Sequence, residues 1–294
     1  MRWQMGRRSQ NIEDRRGLGP VGMGRGARAG GIGGLGLVVL ALIAMLLGVN
    51  PLTILSGVQD IGLGPSPEVV QRQGGAPPAN DEAGQFVSAV LAQTEDAWGD
   101  IFARSGQTYR QPQLVLFDGY VQSACGMAQS ATGPFYCPAD QKVYLDTSFF
   151  RELERKFGAP GDFAAAYVVA HEVGHHVQTL LGISRQVMEL RQRSDEATSN
   201  RLSVMMELQA DCFAGVWARH VHETQPGMIE EGDIEEGLAA ASADGDDRIQ
   251  AATRGYVVPD AFTHGSSEQR QRWFMQGLRT GDVNACDTFN AERL

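Results

Sequence analysis

The sequence predicts an α+β domain that is mainly helical, contains a small sheet and is preceded by one transmembrane helix. Three observations lead to this prediction. An apolar run of 20 residues lies near the N-terminus, two short strand-like segments follow in the middle of the chain, and helical patterns fill most of the chain after Asp146. Strands grouped before helices are typical of an α+β fold, whereas regular alternation would predict a parallel α/β sheet.

The apolar run covers residues 30–49, and a helix of that length spans ~30 Å, the thickness of the hydrocarbon core of a bilayer. All seven arginines of residues 1–59 precede the run. By the positive-inside rule, this asymmetry predicts a signal anchor over residues 30–50 and a basic cytoplasmic tail over residues 1–29. A cleaved signal peptide is less favoured because the basic region is long and no Ala-x-Ala site follows the run.

The charge distribution bears on partners. The chain has 25 Lys and Arg against 35 Asp and Glu, a net charge of −10, and residues 1–59 alone carry +5. The remainder is therefore strongly acidic and repels phosphate backbones, which excludes nucleic acid as the main partner. Arginines beside an apolar run are instead typical of contact with anionic headgroups, so we expect residues 30–50 to contact a lipid bilayer.

Residues 51–80 are rich in Gly and Pro, which predicts an extended linker, and the folded domain is expected over residues 81–294. Residues 113–117 and 142–146 are short, apolar and rich in strand formers, so they predict one small sheet. Apolar residues at helical spacing and helix-stop signals predict the helices. These cover residues 84–104, 147–157, 162–181, 184–193, 199–222, 233–252 and 267–279.

All four cysteines follow the predicted membrane crossing, and an even number in an oxidising compartment favours disulfides. Cys125 and Cys137 are twelve residues apart. Closing such a loop stabilises the fold by ~3 kcal/mol. By elimination, Cys212 would pair with Cys286. A cysteine zinc site is less favoured because the sequence has no Cys-x-x-Cys pair.

The segment His171-Glu-Val-Gly-His175 carries the strongest chemical signal. Positions i and i+4 share one face of a helix, so two imidazoles can bind the same Zn²⁺ ion. Glu172 lies one step around the helix and can act as general base toward a water that the metal activates. Gly174 costs a helix ~1 kcal/mol relative to Ala, which makes sense if another element crowds that face.

A tetrahedral site needs a third protein ligand. The extended metzincin pattern is excluded, because Gln178 and Leu181 stand where it requires Gly and His. Further along, Glu207 and Asp211 lie at i and i+4 on an otherwise apolar helix, where buried carboxylates are costly unless a cation is present. We therefore expect Glu207 to bind the zinc ion and Asp211 to accept a hydrogen bond from an imidazole, that of His171.

Several short motifs follow one another along the predicted domain. They are Cys125-Gly126, Gly133-Pro-Phe-Tyr-Cys137-Pro138, Val143-Tyr-Leu-Asp146, the His-Glu-x-x-His segment, Glu207-Leu-Gln-Ala-Asp-Cys-Phe-Ala-Gly215, Thr263-His-Gly-Ser-Ser-Glu-Gln-Arg270 and Cys286-Asp-Thr-Phe289. Together they resemble the bacterial putative neutral zinc metallopeptidase family over roughly residues 81–290, and the zinc helix followed by Glu-x-x-x-Asp is similar to gluzincin peptidases. The resemblance implies a zincin-like metallopeptidase domain on a single-pass, membrane-anchored protein.

His264 lies in a loop just before the last predicted helix, a position suited to stabilising the oxyanion of peptide hydrolysis; Tyr256 and Arg270 are further candidates for that role. The sequence thus predicts a one-zinc peptidase that acts on proteins or peptides. Its N-terminus would lie in the cytoplasm, and its catalytic domain outside the inner membrane, in the periplasm. A zinc-stabilised binding or scaffold protein without activity is the alternative, because no residue pattern defines a substrate groove.

Overall fold

A computed structural model describes residues 1–17, 77–157 and 161–294. Over these residues the predicted fold class is confirmed, since helices dominate and a small sheet accompanies them. The predicted transmembrane segment over residues 30–50 lies outside the described residues, as does the linker up to residue 76. In the described part of the chain, no helix combines the length and the apolar content that crossing a membrane requires.

Eight helices are described, and most coincide with the segments predicted from periodicity. They are α1 (Glu82–Arg104), α2 (Ser148–Phe157), α3 (Asp162–Leu180), α4 (Ile183–Arg191), α5 (Glu196–Thr224), α6 (Asp233–Ala243), α7 (Asp246–Arg254) and α8 (Ser267–Thr280). The helix predicted over residues 233–252 is broken in two at Asp244 and Gly245. Asp246 then begins α7 and accepts backbone N–H groups from the loop that holds His264.

The main sheet contains four strands, β1 (Ile12–Asp14), β2 (Gln113–Leu116), β5 (Phe135–Cys137) and β6 (Lys142–Leu145), while β3 (Tyr120–Ser123) and β4 (Gly126–Gln129) form a separate antiparallel ribbon. The strand order in the main sheet is β1-β2-β6-β5. The sheet is parallel except for β5. Successive residues of β2 face opposite sides: Leu114 and Leu116 join the main helical core, and Val115 joins a smaller core on the other face.

Residues 1–17, which lie within the tail predicted over residues 1–29 and before the domain predicted over residues 81–294, are folded. Residues 1–17 belong to the same compact unit as the rest of the described chain. Ile12 is fully buried and lies opposite Leu114 in the parallel pair β1–β2. A strand of three residues that pairs with one a hundred residues later leaves no local periodic signal, so the sequence pattern could not reveal it.

Four of the five arginines in residues 1–17 contact acidic side chains, and Arg8 is the exception. Arg7 Nη2 lies 2.7 Å from Asp96 Oδ1, and Arg16 forms an ion pair with Asp81. Much of the positive charge of residues 1–17 is therefore matched by carboxylates within the folded unit.

Both predicted disulfides are present. Cys125, in the turn between β3 and β4, is bonded to Cys137 at the end of β5, and Cys212 of α5 is bonded to Cys286 near the C-terminus. The second bond joins residues 74 positions apart and holds the C-terminal segment against α5, the helix that carries Glu207.

Candidate metal centre

The site forms where α3 and α5 come into very close contact. A Cβ atom on Gly174 of α3 would lie only 3.0 Å from the carbonyl oxygen of Ala210 and 3.1 Å from its Cα atom on α5. Only glycine fits comfortably at this crossing, which accounts for a residue that is otherwise unfavourable inside a helix. The close approach brings the face of α3 that carries the two histidines against the turn of α5 that carries the two carboxylates.

The structure brings together His171, His175 and Glu207, whose potential ligand atoms all lie within 4.8 Å of one another. The His171 Nε2 atom is 3.1 Å from Glu207 Oε2, and His175 Nε2 is 3.5 Å from Glu207 Oε1. Two donor atoms of a tetrahedral zinc site, each ~2.0–2.1 Å from the ion, lie ~3.3 Å apart. The spacing of these nitrogen and oxygen atoms therefore fits a zinc ion.

The other nitrogen of each imidazole is held by a side chain behind it. His171 Nδ1 lies 2.8 Å from Asp211 Oδ1, and His175 Nδ1 lies 2.9 Å from Gln178 Oε1. Acceptors on Nδ1 fix the tautomer in which Nε2 is free to bind a metal. The orienting role of Asp211 was predicted from the sequence, whereas Gln178 was considered only as a departure from the metzincin pattern. A polar residue three positions after His175 on a buried helix is the signal that could have indicated its role.

Gln178 is itself fixed, because its amide nitrogen donates to the Met206 carbonyl oxygen at 2.8 Å and to Gln209 Oε1 at 3.1 Å. Gln209 in turn donates to the Cys286 carbonyl oxygen at 3.0 Å. The orientation of His175 is thus tied through two amides to the segment that the disulfide holds in place.

Charges in the cluster shift one another's protonation. Burial alone would lower the pKa of His171, but the Asp211 carboxylate and the hydrogen bond to Glu207 raise it to about 10. Burial would raise the pKa of Glu207, yet the two imidazoles hold it well below its usual range. The cluster is therefore a set of ionised carboxylates balanced by imidazolium protons. A divalent cation can replace those protons, since metal ligands must be deprotonated.

Glu172 and His264 line the same cavity as the three potential ligands, a space of about 480 Å³. Glu172 is 8% exposed, and burial raises the pKa of its carboxyl group. His264 reaches the cavity from the loop before α8, with half of its side chain exposed. Tyr256, by contrast, does not line this cavity and is 62% exposed.

Much of the remaining cavity lining is apolar. It includes Pro134, Phe135, Tyr136, Phe149, Val168 and Ile249. His176 follows the second histidine of the motif but points elsewhere: its Nε2 atom lies 2.6 Å from the Arg110 carbonyl oxygen, and its Nδ1 atom lies 3.1 Å from the Tyr136 hydroxyl. His176 therefore does not face the metal centre, and it holds the Tyr136 side chain in the cavity wall.

Comparison with known proteins identifies the family. A family model for the putative neutral zinc metallopeptidases matches residues 1–289. The chain is 50% identical over 292 residues to the uncharacterized protein YpfJ of Escherichia coli (strain K12), which covers 98% of this chain and 99% of that one. It is 42% identical over 264 residues to the uncharacterized proteins Rv2575 of Mycobacterium tuberculosis and Mb2605 of Mycobacterium bovis, covering 85% of this chain and 86% of each relative. No solved structure matches. The chain belongs to the putative neutral zinc metallopeptidase family.

Proposed function

We propose that the chain is a zinc-dependent peptidase that hydrolyses peptide bonds in proteins or peptides. The observation that carries the proposal is the convergence of His171, His175 and Glu207 on one point at the edge of a cavity that Glu172 and His264 also line. A site that served only to stabilise the fold would have no use for a buried carboxylate and a half-exposed imidazole facing the same space.

His171, His175 and Glu207 would hold the metal, one nitrogen or oxygen from each. A zinc ion bound there supplies Lewis-acid polarisation of the scissile carbonyl and lowers the pKa of water to near 7. Glu207 is the anionic ligand and Asp211 stays behind His171, because Asp211 Oδ1 faces Nδ1 and not the cavity.

Glu172 is the proposed general base. Its carboxylate takes the proton of the attacking water and passes it to the leaving amine as the C–N bond breaks. Burial of Glu172 raises the pKa of its carboxyl group, which makes the carboxylate a stronger base than one in water and keeps proton return to the amine feasible.

His264 is the proposed donor to the oxyanion. Asp246 Oδ2 accepts the backbone N–H groups of Thr263, His264 and Gly265 at 2.6–3.1 Å, so one carboxylate shapes the whole loop. Its other oxygen, Oδ1, lies 3.3 Å from His264 Nδ1. A proton held on Nδ1 leaves Nε2 as the ring atom that can face the substrate.

Compartment and membrane attachment are further parts of the proposal. The two disulfides support folding in an oxidising compartment, outside the cytoplasm. Attachment to the bilayer through residues 30–50 remains a prediction from the apolar run. Fractionation of cells that express the full chain tests it, because an attached chain stays with the membranes after a wash at high pH.

The peptidase proposal is tested with Glu172→Gln in the full chain, beside Glu189→Gln on the exposed face of α4 as a matched control. We expect both variants to retain about one zinc per chain. Cleavage of unfolded casein should fall by about 10²–10⁴-fold in Glu172→Gln alone, the usual contribution of a general base. Equal cleavage by Glu172→Gln and the control would refute the assignment. Zinc binding without any cleavage by the wild-type chain would favour the scaffold alternative.

A further inference from the structure

Arg270 of α8 is a charged side chain buried beside the metal centre, with only 4% of its side chain exposed. Its Nε atom donates to Asp211 Oδ2 at 2.9 Å, and its Nη2 atom donates to Asp211 Oδ1 at 2.9 Å. Its Nη2 atom also lies 3.2 Å from the Tyr167 hydroxyl and 3.5 Å from His171 Nδ1, and its Nη1 atom donates to the Asp244 carbonyl oxygen at 3.3 Å. The guanidinium group is therefore committed to the protein, which makes it a poor candidate for the oxyanion role that the sequence suggested.

The paired hydrogen bonds fix both the position and the rotation of the Asp211 carboxylate. Asp211 has no exposed surface, and the same Oδ1 atom that meets Arg270 also meets His171 Nδ1 at 2.8 Å. The direction of the His171 ring, and hence of its Nε2 atom, follows from where Arg270 places Asp211.

We propose that Arg270 is a positioning residue of the metal centre, acting on His171 through Asp211. The proposal rests on the metal-binding part of the proposed function. Without the arginine, a fully buried carboxylate would lose the cation that compensates it, and it could rotate or take up a proton. Removal of outer partners of metal-binding histidines typically weakens metal affinity by about 10–100-fold.

The test measures the zinc dissociation constant of the folded full chain by competition with a chelator. Arg270→Gln is compared with Arg272→Gln, two residues along the same helix, where the arginine pairs with the exposed Glu268. We expect zinc binding to weaken about 10–100-fold in Arg270→Gln and to change less than about twofold in Arg272→Gln. Wild-type affinity in folded Arg270→Gln would overturn the proposal, because a merely structural arginine lowers stability but not the affinity of the folded protein.

Two more variants keep the test decisive. Adding Arg270→Gln to Asp211→Asn should weaken zinc binding little further, because both changes remove the same contact. If the fold-losses of zinc affinity in the two single variants instead multiply in the double variant, Arg270 does not act through Asp211. If Arg270→Gln does not fold, Arg270→Lys keeps the charge but not the paired geometry and should still weaken zinc binding. Unchanged affinity in Arg270→Lys would refute the positioning role. All readouts are metal affinity, so a chain that binds zinc but cleaves nothing refutes the peptidase and not this inference.

A second inference follows from β1 and concerns the compartment of the N-terminus. Ile12 is buried in the sheet, and the Trp3 ring packs edge-on against Phe86 of α1 with centroids 5.6 Å apart. A single membrane crossing anywhere between residues 17 and 77 would put β1 and β2 on opposite sides of the bilayer. We infer that residues 1–17 share the compartment of the folded unit, in place of the cytoplasmic N-terminus that the arginine distribution predicted.

Two exposed methionines allow a direct test in the full chain. Met5 lies in the N-terminal segment and is 66% exposed, and Met127 lies in β4 and is 73% exposed. In intact spheroplasts, a membrane-impermeant maleimide should label Met5→Cys and Met127→Cys to the same extent, each measured against the labelling after lysis. Labelling of one position before lysis and of the other only after lysis would overturn the inference.

Discussion

The contact between α5 and α8 should determine both stability and metal binding, and Gly277→Ala tests this. A Cβ atom on Gly277 would lie 1.9 Å from the Cys212 carbonyl oxygen, and real Cβ atoms essentially never come closer than 3.0 Å. The helices must therefore separate locally by about 1.1 Å. Arg270 lies two turns earlier on α8. If it moved with the helix, its 2.9 Å hydrogen bonds to Asp211 would stretch to about 4 Å, beyond hydrogen-bonding range.

The expected magnitude follows from two opposing terms. Overpacking costs about 1–3 kcal/mol, and a collision with rigid backbone belongs at the upper end of that range. Replacing a helical glycine by alanine returns about 1 kcal/mol through helix propensity. The free energy of unfolding should therefore fall by about 2 kcal/mol, which lowers the Tm by about 4–8 °C for a domain of this size. Zinc affinity should fall as well, because the Arg270–Asp211 contact is disturbed.

Gly99→Ala on α1 is the matched control, since a Cβ atom there would meet no other atom within 4 Å. The same substitution should leave stability unchanged or raise it by up to about 1 kcal/mol. Thermal and urea unfolding of the two variants should thus give shifts of opposite sign. If Gly277→Ala is as stable as the wild type and binds zinc equally well, the close packing does not position the site and the reasoning is wrong.

Three further predictions concern protons and covalent links. The hydrogen bond to Asp246 raises the pKa of His264, and His264 Nε2 can donate to the oxyanion only while the ring is doubly protonated. Activity should therefore be lost as the pH rises through that pKa. Asp246→Asn should move this loss to lower pH in a pH–rate profile. An unmoved basic limb would contradict the oxyanion role. Because the pKa of His171 is raised to about 10, zinc binding at pH 7 should release protons, seen as a calorimetric enthalpy that depends on the buffer; independence of the buffer would contradict this. Replacing Cys212 and Cys286 by Ser opens a loop of 74 residues and should cost about 4 kcal/mol in urea unfolding, and a cost below about 1 kcal/mol would contradict the entropic estimate.

The parts of the site that sequence alone could predict are those that local geometry determines. His171 and His175 share a helical face because of their spacing, and Glu207 and Asp211 do so for the same reason. The need for a cation beside the two carboxylates could also be predicted, because a buried acidic pair is costly without one. None of these inferences needed the path of the chain between the two helices.

The parts that sequence could not predict depend on distant contacts. Gly215 and Gly277 look like weak points of their helices until α5 and α8 are seen to meet there: a Cβ atom on Gly215 would lie 2.1 Å from the Phe274 carbonyl oxygen. The contacts of the arginines in residues 1–17 could not be predicted for the same reason. Arginines before an apolar segment are typical of contact with lipid headgroups, but Arg7 and Arg16 pair with Asp96 and Asp81 of the same fold.

The division of roles between Glu207 and Asp211 follows from the position of a single cation. Both carboxylates are carried by α5 one turn apart, and both face His171. Burial would raise the pKa of Asp211, but the charges of Arg270 and His171, with the hydrogen bonds to both, together lower it to about 2. The charge of Arg270 is permanent, so Asp211 is held as an acceptor whether or not a metal is bound. Glu207 is balanced only by imidazoles, whose protons a divalent cation can displace. Glu207 can therefore bind the metal, because the protons that balance its charge can leave. Asp211 instead orients His171, because the charge of Arg270 that balances it cannot leave.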